Sequence, residues 1–182
     1  MMNDKRRHGN IKDNSSHPDE LTEFRKNPSL LIDTGYEYVE LGKYEEAFEL
    51  FSMGASIDSS DADILNGLGI SLCELGRLDM SIKVLERSVR LNPEDAITHA
   101  NLAGVYWEIG EYDKSLYHYG RSLELNDEIE EIHLNLINLY MEMGYLYMAL
   151  LICTRLVKKF PESEEAENLM KDIILELGIS MH

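Results

Sequence analysis

The sequence predicts an all-α solenoid of helical hairpins, and three observations predict it. A dipeptide ending in glycine recurs at Leu41-Gly42, Leu75-Gly76, Ile109-Gly110, Met143-Gly144 and Leu177-Gly178, each glycine 34 residues after the last. On both sides of each glycine, apolar residues fall at the i, i+3, i+4, i+7 spacing of a helix that buries one face. Turn-forming residues at Ser59, Pro93, Asp127 and Pro161 close the second helix of each pair. Glycine suits the turn between paired helices because a left-handed residue ends a helix there without a Cβ clash.

Taken in order, residues 1–27 are short of apolar side chains and read as a mostly disordered N-terminal tail. Four ungapped repeats follow at 28–61, 62–95, 96–129 and 130–163, and residues 164–182 form a capping helix and the C-terminus. In that helix Met170 and Ile174 are expected to face the core. Glu165, Asn168, Lys171, Asp172 and Glu176 give it the solvated outer face that an open solenoid end needs.

Within each repeat the same positions carry the same kind of side chain. Position 7 holds Thr34, Leu68, Leu102 and Leu136; position 8 holds Gly35, Gly69, Ala103 and Ile137. Position 11 holds Tyr38, Leu72, Tyr106 and Tyr140. Position 20 holds Ala47, Ser81, Ser115 and Ala149, and position 24 holds Phe51, Leu85, Tyr119 and Cys153. Small residues at 8 and 20 allow two helices to approach closely, while large ones at 7, 11 and 24 fill the space between them. The pattern resembles the tetratricopeptide (TPR) repeat over about five-sixths of the chain, departing at Ile137 and Leu156, where that family prefers small residues. The resemblance implies a right-handed α-α superhelix and a protein-binding scaffold.

Charge narrows the partners. Seventeen Lys and Arg stand against 34 Asp and Glu, a net charge of −17. The tail is nearly balanced, so the acidic excess belongs to the repeats. Such a surface repels phosphate backbones and anionic membranes and favours basic or neutral protein partners. The longest apolar run, Tyr145 to Cys153, is too short to span a bilayer, so no membrane insertion is expected. The N-terminus lacks the apolar segment of a signal peptide, and two cysteines 80 residues apart make no disulfide framework. The expected location is the cytoplasm.

No catalytic constellation is legible, so the chain is read as not an enzyme, with no cofactor and no metal. His99 and His133 share repeat position 4 and read as packing residues; His118, His8, His17 and His182 show no partners in the sequence. Cys73 has no activating neighbour and Cys153 holds a core position.

Binding is expected elsewhere. The resemblance implies that positions 2, 5, 6, 9, 12 and 13 of each first helix face a concave groove. There they place Ile32, Tyr36, Val39, Asn66, Ile70, Cys73, Asn101, Trp107, Asn135, Asn138 and Met141, an apolar strip with amides and the chain's single tryptophan. Position 13 is glutamate every time, at Glu40, Glu74, Glu108, Glu142 and Glu176, where the family tends toward lysine. This acidic row either receives basic side chains or merely solvates the helix ends, although an acid there opposes the helix dipole. The lysine/asparagine/arginine clamp by which some TPR proteins grip the C-termini of Hsp70 and Hsp90 is not expected. Ile32, Tyr36, Gly67, Ile97 and Asn101 stand at its positions.

The leading functional expectation is an adaptor holding an extended or helical, possibly basic, segment of another protein in the groove. The alternatives are a secretion-type chaperone and a self-assembling structural scaffold. The chain resembles type III translocator chaperones in size, acidity and repeat type, although those have three repeats. A second interface is expected where the fourth repeat puts Tyr145, Tyr147, Met148 and Leu151 at positions that carry charge in repeat one, with a homodimer as its simplest use. Folding back of Ile179 to His182 over that patch is the competing expectation.

Overall fold

The computed structural model describes residues 26–179. Among them are nine helices: α1 (Pro28–Glu40), α2 (Tyr44–Ile57), α3 (Ala62–Glu74), α4 (Leu78–Leu91), α5 (Ala96–Glu108), α6 (Tyr112–Leu125), α7 (Glu130–Glu142), α8 (Leu146–Lys159) and α9 (Glu164–Glu176). Each packs on the next, and α1, α3, α5 and α7 also pack on one another in sequence, making an all-α solenoid of helical hairpins. The expected tail lies outside the described residues apart from Lys26 and Asn27. So do residues 180–182, and with them three of the four histidines first read as partnerless.

The turn inside each hairpin is set by one backbone device. Gly42, Gly76, Gly110, Gly144 and Gly178 all have φ between 67° and 77°, the left-handed region. Around the first of them, Gly42 N–H donates to Val39 O and Lys43 N–H to Tyr38 O, capping the carbonyls that α1 leaves open. Helix starts vary more. Asp61 and Asp95 each accept two backbone N–H groups of the following turn, and Ser163 accepts one; Ile129, before α7, has no side chain able to do so.

Paired helices approach closely where the small residues stand. Ala47, Ser81, Ser115 and Ala149 are fully buried. The two serines do more than leave space: Ser81 Oγ donates to Gly69 O at 2.7 Å and Ser115 Oγ to Ala103 O at 2.8 Å, tying position 20 to position 8. Ser88 and Ser122 make the same kind of bond to Ala62 O and Ala96 O, each at 2.7 Å. In repeat four the corresponding space is filled by Ile137 and Leu156, both fully buried.

The first hairpin meets the second around Phe51. A Cβ added at Gly35 would lie 2.5 Å from the Phe51 ring tip, and one at Gly67 2.2 Å from it. Both glycines are therefore required by the ring between them. The capping helix differs from expectation: its fully buried residues are Ala166 and Ile173, with Met170 and Ile174 only half-buried. Ala166 allows α9 to lie close to α8, where Cys153 Sγ donates to Ala166 O at 3.2 Å, and Ile173 follows seven residues on along that face.

Candidate functional site

Side chains from α3, α5 and α7 converge on one hollow of about 170 Å3. Ile70, Cys73 and Glu74 line it from α3, Ala100, Asn101 and Gly104 from α5, and Asn135 from α7, with Leu85 and Tyr119 contributing from behind. Ala100 and Gly104 open the hollow by being small. The alternating first helices thus share a face, and five of the sequence-predicted groove and row residues meet there: Ile70, Cys73, Glu74, Asn101 and Asn135.

The remaining groove candidates are placed differently. Tyr36, Asn66 and Asn101 form a polar chain across three repeats. Asn101 Nδ2 donates to Asn66 Oδ1 at 2.9 Å, Asn66 Nδ2 to Tyr36 Oη at 3.0 Å, and Tyr36 Oη to Asp63 O at 3.2 Å. Asn66 is buried, and its amide is committed to this chain in the structure. Burial pushes the Tyr36 phenol up to about 12, so it stays a neutral donor. Ile32 and Val39 pack on the first core cluster and Met141 on the last, all half-buried. Asn138 is half-buried on α7.

The glutamate row has a structural partner that the sequence reading missed. Trp107 Nε1–H donates to Glu142 at 2.7 Å and Tyr112 Oη to the same carboxylate at 2.8 Å. Cys73 Sγ donates to Glu108 at 3.4 Å. The Glu74 charge, and a hydrogen bond to that carboxylate, raise the Tyr44 phenol. In every case a donor at position 12 or 17 of one repeat reaches the position-13 glutamate of the next. Glu176 follows Met141 and Leu146, which have nothing to donate, and Glu40 has no described repeat before it. The bonds from Tyr112 and then Trp107 hold Glu142 below the usual carboxylate range, so it remains an anion. Glu40, Glu74, Glu108, Glu142 and Glu176 form no ion pair among the described residues. The recoverable signal was a tyrosine or tryptophan 30 or 35 residues before a glutamate.

Cys73 is a poor nucleophile. Burial first, then its bond to Glu108, pushes the thiol up to about 12.

The histidines also acquire partners. His99 Nε2–H donates to Pro93 O at 3.3 Å, and His133 lies 2.9 Å from Asp127 O through Nε2, so in repeats three and four position 4 anchors the loop before the helix pair. His118 is not partnerless: its Nδ1 lies 2.9 Å from His99 Nδ1, with the Tyr106 ring stacked on it at 5.7 Å. The two histidines are 19 residues apart on α5 and α6, and only the hairpin brings them together. Burial, then the neighbouring His99, pushes His118 down to about 4, and burial lowers His99 too. Both are packing groups held neutral.

On the opposite side, Tyr145, Tyr147, Met148 and Leu151 are all exposed, with Tyr147 at 74%. Ile179 is itself exposed, and residues 180–182, the rest of the segment expected to cover the patch, lie outside the described residues. No described helix is long and apolar enough to cross a membrane.

Residues 60–128 match the family model described as tetratricopeptide repeat. No curated protein is a significant sequence match. Among solved structures the chain is similar to a thermophilic TPR protein of Thermus thermophilus, at 24% identity and a TM-score of 0.76 over 86% of each chain. It is similar to PilF of Pseudomonas aeruginosa at 17% identity and a TM-score of 0.75, covering 86% of this chain and 70% of that one. It is also similar to YrrB, described as a TPR protein with an unusual peptide-binding site, at 17% identity and a TM-score of 0.66, covering 87% and 84%. At these identities the likeness is one of fold.

Proposed function

We propose that the chain is a scaffold of the tetratricopeptide-repeat kind, in which a segment of another protein is held along the face of α1, α3, α5 and α7. The observation that carries this reading is the hollow between Ile70, Cys73, Ala100, Gly104 and Asn135, which is apolar at its sides and edged by Glu74 and Asn101. Sites of this kind bury an apolar body and orient it with a few polar groups. Asn101 is engaged through one amide N–H only, and Asn135 is half-buried at the same hollow. Both therefore have amide capacity for a ligand's backbone.

The charge favours a basic segment. Glu74, Glu108 and Glu142 are hydrogen-bonded to neutral donors, which orients their carboxylates and leaves their charge uncompensated. A lysine or arginine laid along the groove would bury its aliphatic stem against Ile70 and Ala100 and bring its cation to this row. YrrB offers a structural precedent for peptide binding on this fold.

Trp107 supplies the assay, being the only tryptophan and standing on α5 three residues after Gly104, which lines the hollow. Peptides alternating leucine and lysine should shift its emission, and their glutamate counterparts should not. The shift should weaken with salt, since exposed charges are screened over about 10 Å at 0.1 M. Combined Glu74→Lys and Glu108→Lys should weaken binding while leaving the helical spectrum intact. Equal binding of both peptides, or indifference to the reversal, removes the basic-segment reading; capture of a client encoded beside this chain would instead favour the secretion-chaperone reading.

A further inference from the structure

Helix α8 is unlike every other described helix. Its sequence, Leu146 to Lys159, contains no aspartate or glutamate, and it carries Arg155, Lys158 and Lys159 in a chain of net charge −17. The Lys159 ammonium is taken up by Asp127 at 2.8 Å and Glu128 at 3.0 Å. Arg155 and Lys158 are exposed, and neither pairs with a carboxylate among the described residues. They lie on the same stripe as the apolar patch: Tyr147 and Met148, then Leu151, then Arg155, then Lys158, at helical spacings of three and four. The exposed half of α8 thus runs from aromatic to aliphatic to basic. Tyr117, 62% exposed, holds the position on α6 that Leu151 holds on α8.

We infer that this stripe is a homodimer interface, in which two copies lay α8 antiparallel across a two-fold axis at Leu151. The order of the stripe carries the argument. Tyr147 lies four residues before Leu151 and Arg155 four after, so an antiparallel twin sets each Tyr147 against Arg155 of the second copy. A guanidinium or ammonium over a tyrosine face is attractive, more so once water is excluded. The two copies of Arg155 are separated by eight residues of helix rise, about 12 Å. That exceeds the screening length of about 8 Å at physiological salt. A parallel arrangement would instead stack like charges side by side.

The acidity of the rest of the chain selects the same place. Two molecules of this charge repel wherever carboxylates face each other, as Glu45 and Glu46 of α2 would at the corresponding surface of repeat one. Among the described helices only α8 contains no acid at all, and on it the large apolar side chains Tyr147, Met148 and Leu151 are exposed together. Like-with-like contact through one patch is the closed, isologous arrangement expected of a symmetric dimer.

Sedimentation velocity of the full chain from about 1 to about 200 µM tests this, a range that brackets micromolar association. The wild type should pass from monomer to dimer. Leu151→Asp, which puts two carboxylates on the axis, should raise the dissociation constant at least about 30-fold, the effect of losing a central anchor. Tyr147→Arg should weaken the dimer by facing Arg155 of the second copy. Adding Arg155→Glu to it should restore the dimer, because each new arginine then meets a carboxylate. All replaced residues are exposed, and an unchanged helical spectrum confirms the fold. A wild type that stays monomeric at the highest concentration overturns the inference. So does a dimer indifferent to Leu151→Asp, or a double variant no tighter than Tyr147→Arg alone.

Discussion

Gly67→Ala should unfold the first half of the solenoid more readily, and the structure sets the size of the effect. Phe51 is fully buried, and its ring tip is flanked by the backbones of α1 and α3 at Gly35 and Gly67. A methyl at Gly67 would lie 2.2 Å from the ring, and retreat is blocked because the opposite side is equally tight at Gly35. Overpacking costs about 1–3 kcal/mol, and with both sides closed about 3 kcal/mol is expected. Phe51→Leu removes the ring tip and leaves a partial void, a loss of about 1–2 kcal/mol. Combined, the alanine methyl occupies the space that the ring vacates, so the double variant should be better than the sum of the singles by at least about 1.5 kcal/mol. Urea unfolding followed by circular dichroism reads this as a shift of midpoint at constant slope. Each repeat of a solenoid touches only its neighbours, so Trp107 emission, reporting from repeat three, should move less than the helical signal. Additivity of the two changes within about 0.5 kcal/mol would refute the clamped-ring account.

Acid should expose the histidine pair. His118 is held down to about 4 in the folded chain, so between its ordinary value near 6.5 and about 4 the unfolded chain binds the extra proton. Stability is therefore present above 6.5 and lost as pH falls through this window. His118→Phe keeps the stack on Tyr106 and does not titrate, so its melting temperature should fall less between pH 6.5 and 4; parallel curves would contradict this. Asp95→Ala removes the acceptor of the Ile97 and Thr98 N–H groups and should cost about 1 kcal/mol by urea unfolding. A cost near zero would mean that water replaces the cap.

The architecture was legible because a solenoid repeats its physics. The turn glycine, the small residues at positions 8 and 20 and the apolar residues at 7, 11 and 24 each act within one hairpin or between adjacent ones. A period of 34 therefore displays them to anyone reading the chain in register. The exposed patch on α8 was legible for the same reason, by contrast with charged residues at the same positions of α2.

What the sequence hid were contacts whose partners occupy different repeat positions. Asn66 read as a groove amide, yet its neighbours are Tyr36 and Asn101, 30 and 35 residues away, and they hold it inside the polar chain. The glutamate row read as free surface, yet Trp107, Tyr112 and Cys73 reach it from the preceding repeat. His118 read as solitary until the α5–α6 hairpin set it against His99. Helical periodicity tells which way a side chain faces, because that depends on its own helix alone. Which neighbour it meets depends on the stagger and crossing of two helices, and side-chain length then decides whether a donor reaches its acceptor. Those are properties of the packed superhelix, and only the tertiary structure decides them.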